Sequence, residues 1–232
     1  MFFGGKFKLV DFEIVVSVLM IIIPIFIVIL SVKARYNHMT GQGLEKRVYG
    51  ILRGFEKHGG KTIRNCYLIW KDGYTSEIDN ILIHKKGVFV IECKDYRGWI
   101  FGRDIDAHWT EVFKSERGNT KKYSFYNPIK QNGGHIRAIR NKIRDFDVPF
   151  YSIIVFSNEC SFANITNNTE VDIIKEKILY KTVCRLMECS RDVLSYEDVE
   201  KYYKILCNDV LDKEIAVKHI ANVESLKRAK GF

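Results

Sequence analysis

The stretch that decides the fold is residues 87–94, GVFVIECK, an apolar run that ends in a carboxylate and an ammonium group. Its composition is typical of a strand that is buried along most of its length. Side chains two apart in a strand point the same way and lie roughly 7 Å apart, so Glu92 and Lys94 share one face. Because charges at core depth are costly unless they are paired or used, they indicate a metal or catalytic site.

An acidic residue on the preceding strand, Asp79 in the stretch 76–83 SEIDNILI, extends this pattern. If the turn at residues 85–87 has two residues, Asp79 lies directly opposite Glu92, with Cβ atoms roughly 5 Å apart, close enough to share one divalent ion. If the turn is instead a bulged three-residue loop, Asp79 faces Cys93. The residues alone leave both registers open.

Hydrophobic periodicity elsewhere predicts alternating helices and strands, which together favour a three-layer α/β domain. Asn127 and Pro128 begin a helix in the preferred way, with a capping residue followed by proline. The segment 114–122 is polar and is expected to be a loop. The predicted strands are residues 65–70, 74–84, 88–94, 99–102, 109–113, 150–156 and 171–174, and the predicted helices are residues 44–56, 128–146, 180–189, 195 onward and 213–227.

Near the N-terminus, residues 14–32 form a run of nineteen residues without a charge. A helix of that length is roughly 28 Å long, about the hydrocarbon thickness of a bilayer, so we predict a transmembrane helix in contact with lipid. The length disfavours a buried core helix, and the basic flank that begins at Lys33 disfavours a cleaved signal peptide. The excess of Lys and Arg after the span predicts a single-pass membrane protein with its N-terminus outside and its soluble domain in the cytoplasm.

Composition agrees with these expectations. The net charge of +9 suits a polyanionic partner, either nucleic acid or an anionic membrane surface. None of the six cysteines forms a Cys-x-x-Cys pair or a Cys/His zinc pattern, which disfavours a structural zinc site. Scattered thiols in a chain that can build a core are typical of free cysteines in a reducing compartment, and this again indicates the cytosol.

Several motifs occur in the order expected for one family. They are Gly43-Leu44-Glu45, Ser76-Glu77-Ile78-Asp79, residues 87–94 followed by Gly98, Trp109, and Asn127-Pro128-Ile129-Lys130-Gln131. Over about residues 41–156 the chain resembles a NERD (nuclease-related) domain, a branch of the PD-(D/E)XK nuclease superfamily. The resemblance implies a restriction-endonuclease-like α/β core of three layers, with a central mixed sheet flanked by helices. Cys93 departs from the β-branched residue that is commoner in such strands.

The resemblance also implies roles for individual residues. It makes Asp79 and Glu92 ligands of Mg²⁺, and Lys94 the residue that positions or activates water. Glu45 and Gln131 become accessory site residues, and Mn²⁺ is expected to substitute for Mg²⁺. Independently, carboxylates that hold a divalent ion beside a lysine suit the hydrolysis of phosphodiester bonds.

Six basic side chains are candidates for binding the nucleic-acid backbone, although a solvated turn or helix face is an equally good interpretation of each. Two further residues are interpreted as structural. Glu77 is expected to face away from Asp79, and His135 is expected to lie at the surface or in a turn. The six basic candidates are Lys85, Lys86, Lys130, Arg137, Arg140 and Arg144.

The leading hypothesis is a membrane-anchored, Mg²⁺-dependent nuclease that acts on DNA. The alternative is a catalytically idle NERD-type module that binds nucleic acid or a protein partner at the membrane, and a scaffold or signalling module is a third interpretation. The predicted segments are an N-terminal tail (1–13), a transmembrane helix (14–32), a juxtamembrane linker (33–43), a nuclease-like domain (44–157) and a mostly helical extension packed on the core (158–232).

Overall fold

The computed structural model describes residues 15–16, 18–20, 22–28, 42–69, 75–114 and 118–210. By its contacts the chain divides into two compact units, Met1–Gly43 and Leu44–Phe232. In the first unit, residues 15–16, 18–20 and 22–28 are helical. Across the described ranges, no helix combines the length and the apolar character that a membrane crossing requires. The predicted span at 14–32 lies in part outside those ranges, so the membrane helix and the cytoplasmic location stay predictions.

From Gln42 onward, the described chain alternates helices and strands. The helices are α1 (Gln42–Leu52), α2 (Pro128–Ile143), α3 (Leu179–Glu188) and α4 (Tyr196–Val210), with 3-10 turns at Arg53–His58 and Glu176–Ile178. The strands are β1 (Lys61–Ile69), β2 (Thr75–His84), β3 (Gly87–Lys94), β4 (Trp99–Arg103), β5 (His108–Lys114), β6 (Thr120–Tyr126), β7 (Phe150–Phe156), β8 (Ser161–Thr166) and β9 (Asp172–Lys175).

The main sheet has five strands in the order β1-β2-β3-β7-β9. β1, β2 and β3 form an antiparallel meander, whereas β3, β7 and β9 run parallel. β3 is therefore the central strand, and it is buried from Gly87 to Glu92. Because β3 and β7 are parallel, their carboxyl ends meet at one edge of the sheet, where Glu92 pairs with Ile154 and Lys94 with Phe156.

The turn between β2 and β3 has two residues, since His84 pairs with Gly87. Gly87 has a φ of 131°, and a Cβ atom at this position would lie 2.5 Å from the carbonyl oxygen of Pro149. A lysine pair is a poor two-residue turn by itself, and the glycine that follows supplies the backbone conformation that other residues rarely adopt. The two-residue register is confirmed, and the bulged three-residue loop is wrong.

Helices cover both faces of the main sheet, so the predicted α/β architecture, a central mixed sheet flanked by helices, is confirmed. Successive residues of β3 point to opposite faces, and each face has its own apolar cluster. The cluster under α2 and α4 includes Val90, Ile139 and Leu206, and the cluster under α1 and α3 includes Val48, Phe89 and Val183. The more specific restriction-endonuclease-like assignment stays a prediction.

A second sheet has four strands, in the order β6-β5-β4-β8. The strands predicted at 99–102 and 109–113 are confirmed as β4 and β5, whereas β6 and β8 are not predicted by the sequence pattern. The loop predicted at 114–122 is wrong from Thr120 onward, because β6 pairs with β5 from Thr120 to Tyr126. Most residues of β6 and β8 are exposed, so neither strand shows apolar alternation. Backbone pairing, together with the packing of Phe125 and Ile165 against the core, therefore holds these two strands in place.

Two helices begin at the residues that the sequence predicts. The Asn127 side chain accepts a hydrogen bond from Ile129 N at 2.9 Å. Ahead of α4, Asp198 N donates to Ser195 Oγ at 3.1 Å, and Ser195 N donates to Asp198 Oδ2 at 3.0 Å. This reciprocal pair is a capping box, so both predicted helix starts are confirmed.

Two helix ends differ from the prediction or lie outside the described residues. α2 ends at Ile143 rather than at Phe146, because Arg144 takes a left-handed φ of 57° that ends the helix. The helix predicted at 213–227 falls outside the part of the chain that the structure describes.

Candidate functional site

β2 is irregular at Asp79, and the main sheet opens there. The pairing with β1 skips Asp79 and Asn65, and Asn65 has a left-handed φ of 53°. On the other side, the ladder between β2 and β3 stops at Asn80. Beyond that point Cys93 N donates to the side chain of Asp79, at 2.7 Å from Oδ2, instead of to a backbone carbonyl of β2. Irregular backbone of this kind re-aims side chains and is frequent beside active sites.

Glu92 and Lys94 project from the end of β3 toward α2, as their spacing predicts. Lys94 Nζ donates to Glu92 Oε1 at 2.7 Å and to Gln131 Oε1 at 3.0 Å. Only 2% of the Glu92 side chain and 16% of the Lys94 side chain are exposed. A charged pair this deep is tolerated only with good geometry and further hydrogen bonds, and Gln131 in the first turn of α2 provides one of them.

His135 faces the second carboxylate oxygen of Glu92. Its Nε2 lies 3.3 Å from Glu92 Oε2, without the geometry of a hydrogen bond. Its Nδ1 shares a hydrogen bond with Ser76 Oγ at 2.9 Å. The prediction that His135 lies at the surface or in a turn is wrong, because only 3% of the residue is exposed. The available signal was its position four residues after Gln131, on the same face of a helix.

The three carboxylates of this region differ in the direction in which their pKa values are shifted. Burial, reinforced by neighbouring carboxylates, raises the pKa of Glu45 in α1 to about 7. Burial also raises the pKa of Asp79, with further contributions from Glu92 and Glu45. Burial alone would raise the pKa of Glu92, but the nearby Lys94 holds it below its usual value. Three carboxylates therefore repel one another here, and Lys94 compensates mainly one of them.

An open cleft of about 460 Å³ lies at this end of β2, and Asp79, Gln131 and His135 line it, whereas the predicted site residues Glu45, Glu92 and Lys94 are not among its lining residues. Glu77 and Asp79 both line it, so the expectation that Glu77 faces away is wrong. Residues two apart in a strand share a face, which the sequence itself would have shown. The Glu77 Oε1 atom accepts a hydrogen bond from Tyr67 OH at 2.7 Å. The lining residues are Thr75, Ser76, Glu77, Asp79, Tyr126, Lys130, Gln131, Gly134, His135 and Arg137.

Two of the six basic candidates, Lys130 and Arg137, line the cleft. Lys130 Nζ donates to the carbonyl of Ile105 at 2.7 Å, which directs this ammonium toward the β4–β5 turn. The guanidinium of Arg137 projects from the next turns of α2, at an exposed position. The structure therefore keeps two cations at the rim of the cleft.

The structure does not bring the other four basic candidates into the cleft. Lys85 and Lys86 lie at the opposite end of β2 and β3, where both contact Asp192. Arg140 lies over the ring of Phe150 at 4.8 Å, and Arg144 forms the end of α2. For these four the structural interpretation is the better one.

The donor atoms suit a divalent cation only in part. Within the described ranges, no group of three or more His, Cys, Asp or Glu side chains is arranged to enclose a metal ion. Mg²⁺ does not require such a group, since proteins usually hold it through one or two carboxylates plus water and substrate phosphate. The raised pKa of Asp79 fits a missing positive charge, whereas Glu92 already has Lys94 and His135 beside its two carboxylate oxygens. Asp79 and Glu92 are therefore the candidate ligands of a divalent cation at this site.

Comparison with known proteins identifies the family of this chain. Residues 40–157 match the family model of the nuclease-related domain, NERD. The chain belongs to the NERD family. A Bacillus anthracis protein that is itself named only as an uncharacterized protein is 32% identical over 205 residues, which cover 87% of this chain and 92% of that protein. No solved structure matches the chain significantly. The NERD match includes every residue of the carboxylate–lysine site.

Proposed function

We propose that this NERD domain is a Mg²⁺-dependent nuclease that hydrolyses phosphodiester bonds in DNA, with RNA as the less favoured substrate. One observation carries the proposal: three carboxylates and a buried lysine converge beside an open cleft that has two cations at its rim. A phosphate backbone supplies the negative charge that Lys130 and Arg137 attract. A structural role alone does not account for carboxylates that raise one another's pKa at core depth.

Asp79 and Glu92 are the residues that would hold Mg²⁺, which when bound polarises a phosphate and lowers the pKa of its water. Lys94 acts as a cation, since the charge of Glu92 outweighs burial and raises the pKa of the ammonium. A protonated Lys94 stabilises negative charge on the phosphate rather than accepting a proton. Glu45, whose pKa is about 7, is the group suited to exchange a proton at neutral pH.

A catalytically idle module that binds nucleic acid or a protein partner is the second candidate. It is favoured by the Asp79 Oδ2 and Glu92 Oε1 atoms, which already accept hydrogen bonds from within the protein. Titration calorimetry separates the two functions. If the wild-type protein binds Mg²⁺ or Mn²⁺ with measurable heat and the Asp79→Asn variant does not, the nuclease is supported. If the wild-type protein shows no heat of binding, the idle module is supported.

The test of the nuclease is cleavage of labelled DNA by the full chain in detergent micelles, with Mg²⁺ or with EDTA. Asp79→Asn keeps the shape of the side chain and is expected to lower the rate by at least about 10²–10³-fold, the usual effect of removing one charge-stabilising group. Lys85→Ala, on the far end of the same strands, is the matched control and is expected to retain the rate. Cleavage in EDTA, or an equal rate for Asp79→Asn and the wild type, would contradict the proposal.

We further propose that residues 14–32 anchor the domain to a membrane, with the N-terminus outside and the domain in the cytoplasm. The support is the uncharged run of nineteen residues and the basic flank that follows it. Cell fractionation with carbonate extraction tests the anchor. The full chain is expected in the extracted membrane pellet, and a variant that lacks residues 1–36 is expected in the supernatant.

A further inference from the structure

The second sheet has one face in the core and one face open to solvent. Residues alternate along β4, so that Ile100 is buried while Trp99 and Phe101 are 43% and 39% exposed. On β5 the indole of Trp109 belongs to the buried side and fills the space above Gly102. The open face, hereafter the aromatic face, therefore carries two large rings that the core does not use.

The aromatic face continues into the cleft. Strand pairing carries it from Trp99 through Val112 to Lys122, and at the end of β6 it includes His108 and Tyr126. The His108 and Tyr126 rings meet edge to face, with centroids 6.0 Å apart. Tyr126 is 50% exposed and is also one of the residues that line the cleft. The two surfaces therefore share a side chain.

The strand positions on the aromatic face carry no acidic residue. The pairings place residues of alternating number from each strand on this face, and none of those that the structure describes is Asp or Glu. Lys122 is exposed there, whereas Arg103 is bound to Asp106 at 2.8 Å. Rings, hydroxyl groups and a lysine without carboxylates are the composition of a surface that binds the phosphates and bases of nucleic acid.

We infer that the aromatic face binds single-stranded DNA and leads it into the cleft. The second part of this inference, delivery into the cleft, rests on the proposed nuclease function. Aromatic rings stack on base faces, and a duplex hides those faces between neighbouring base pairs. Trp99 and Phe101 lie roughly 7 Å apart along the strand, about twice the 3.4 Å rise per base in a duplex. Bases that stack on both rings must therefore be separated from each other, as in an extended single strand.

A second copy of the chain is the less suitable occupant of this face. The cores of lasting protein interfaces are more apolar than ordinary surface and depleted of lysine. Here Lys122 and Ser124 lie on β6 within the same face as Trp99. The mixture of rings and polar groups suits nucleic acid better than a dimer interface.

The experiment measures binding of the full chain in detergent micelles to a labelled oligothymidylate of about 16 nucleotides, near the upper site size of a single binding fold. Fluorescence anisotropy is recorded in EDTA, so that no hydrolysis occurs. Trp99→Ala and Phe101→Ala are each expected to weaken binding about 5- to 100-fold, and Trp99→Tyr is expected to retain most of the affinity. Lys122→Gln is expected to reduce the slope of log affinity against log salt by about 0.7.

Matched controls come from other surfaces. Phe146 is 67% exposed in the loop after α2, so Phe146→Ala removes a ring of the same kind and is expected to leave affinity unchanged. Lys181→Gln, at an exposed position of α3, is the control for Lys122→Gln. Equal affinity of wild type and Trp99→Ala, or tighter binding of a duplex of the same length, would overturn the inference. So would a change from dimer to monomer in Trp99→Ala without a change in affinity.

A small substrate separates this inference from the nuclease proposal. Hydrolysis of bis(p-nitrophenyl) phosphate with Mg²⁺ requires the cleft but not Trp99, which does not line it. Trp99→Ala is expected to retain this hydrolysis while losing DNA affinity, and Asp79→Asn is expected to do the reverse. If the wild-type protein does not hydrolyse the ester but Trp99→Ala still loses DNA affinity, the nuclease proposal fails and DNA binding by the aromatic face stands.

Discussion

The two ends of the β2–β3 hairpin carry similar charged residues in opposite circumstances. At the turn, Lys85 and Lys86 each have Nζ 2.8 Å from an oxygen of Asp192, and their hydrogen bonds lower the pKa of that carboxyl to about 2. At the open end, burial and neighbouring carboxylates raise the pKa of Asp79, and Lys94 is committed to Glu92. The two ends are roughly 20 Å apart on the same strands.

The difference separates an end whose charges are paired in water from an end whose charges are buried. At the turn, two cations share one carboxylate in water, an arrangement that is easy to satisfy. At the cleft, carboxylates outnumber the committed cation and lie at core depth, where repulsion is weakly screened. Sites that hold unfavourable charge in the folded state usually trade stability for function. The following predictions test this contrast, from the largest expected effect to the smallest.

Removal of the cation is expected to have unequal effects at the two ends. Lys94→Met keeps the length of the side chain but leaves the buried Glu92 without its partner. The free energy of unfolding should fall by about 3–5 kcal/mol, as for other buried pairs broken on one side. Lys85→Met is the control, and no measurable change is expected there, because the turn is exposed. Urea denaturation measures both, and equal losses would contradict the contrast.

A divalent cation is expected to stabilise the open end only. At a Mg²⁺ concentration of 100 times Kd, the wild-type chain should gain about 2.7 kcal/mol in the free energy of unfolding. Asp79→Asn should lose this gain because it removes one of the two ligands. Asp192→Asn, at the turn, should retain it. The measurement is thermal unfolding at increasing Mg²⁺, and a gain that survives in Asp79→Asn would place the ion elsewhere.

Glu45 is expected to make stability depend on pH. Its pKa rises from 4.5 to about 7 on folding, so the folded state binds more protons than the unfolded state between these values. Stability should therefore fall as pH rises through this window. Above it, Glu45→Gln should be more stable than the wild type by only about 1 kcal/mol, because water screens the charge of a partly exposed carboxylate.

The measurement for Glu45 is urea denaturation without divalent ions at about pH 4.5 and about pH 8. Glu188→Gln, on the exposed side of α3, is the control carboxylate. A Glu45→Gln variant that shows the same difference from the wild type at both pH values would exclude the proposed burial of charge.

Asp192 is expected to show the smallest effect. Lys85 and Lys86 depress its pKa from 3.8 to about 2, so any stability that it contributes is present above this window and is lost only as pH falls through it. Between about pH 5 and pH 8, Asp192→Asn should match the wild type within the error of urea denaturation. A marked loss in this range would show that the turn is as sensitive to charge as the cleft.

Local signals in the sequence predict much of the fold. The apolar run of β3, the cap at Asn127 and the capping box at Ser195 each depend on residues within one element and its first turn. Two strands of the second sheet, β4 and β5, are predicted, whereas β6 and β8 escape prediction because both are exposed at most positions and give no periodic signal. The predicted positions of Glu92 and Lys94 on one face are confirmed by their common contacts with α2.

The same distinction between local signals and long-range contacts applies to the candidate site. Its carboxylates and its lysine follow from strand spacing and family motifs, which are properties of short segments. His135 beside Glu92 and the pairing of Lys85 with Asp192 join residues more than forty positions apart in the chain.

By itself, the sequence determined the central strand, its polar end and the NERD motifs, because burial and spacing along a single element leave a periodic trace. Only the tertiary structure decided which charges are paired and which surface stays open. Those outcomes depend on the approach of distant elements, such as α2 to the end of β3 and the segment at Asp192 to the hairpin turn. No local sequence pattern predicts that approach, because the packing of distant elements determines which charged side chains meet.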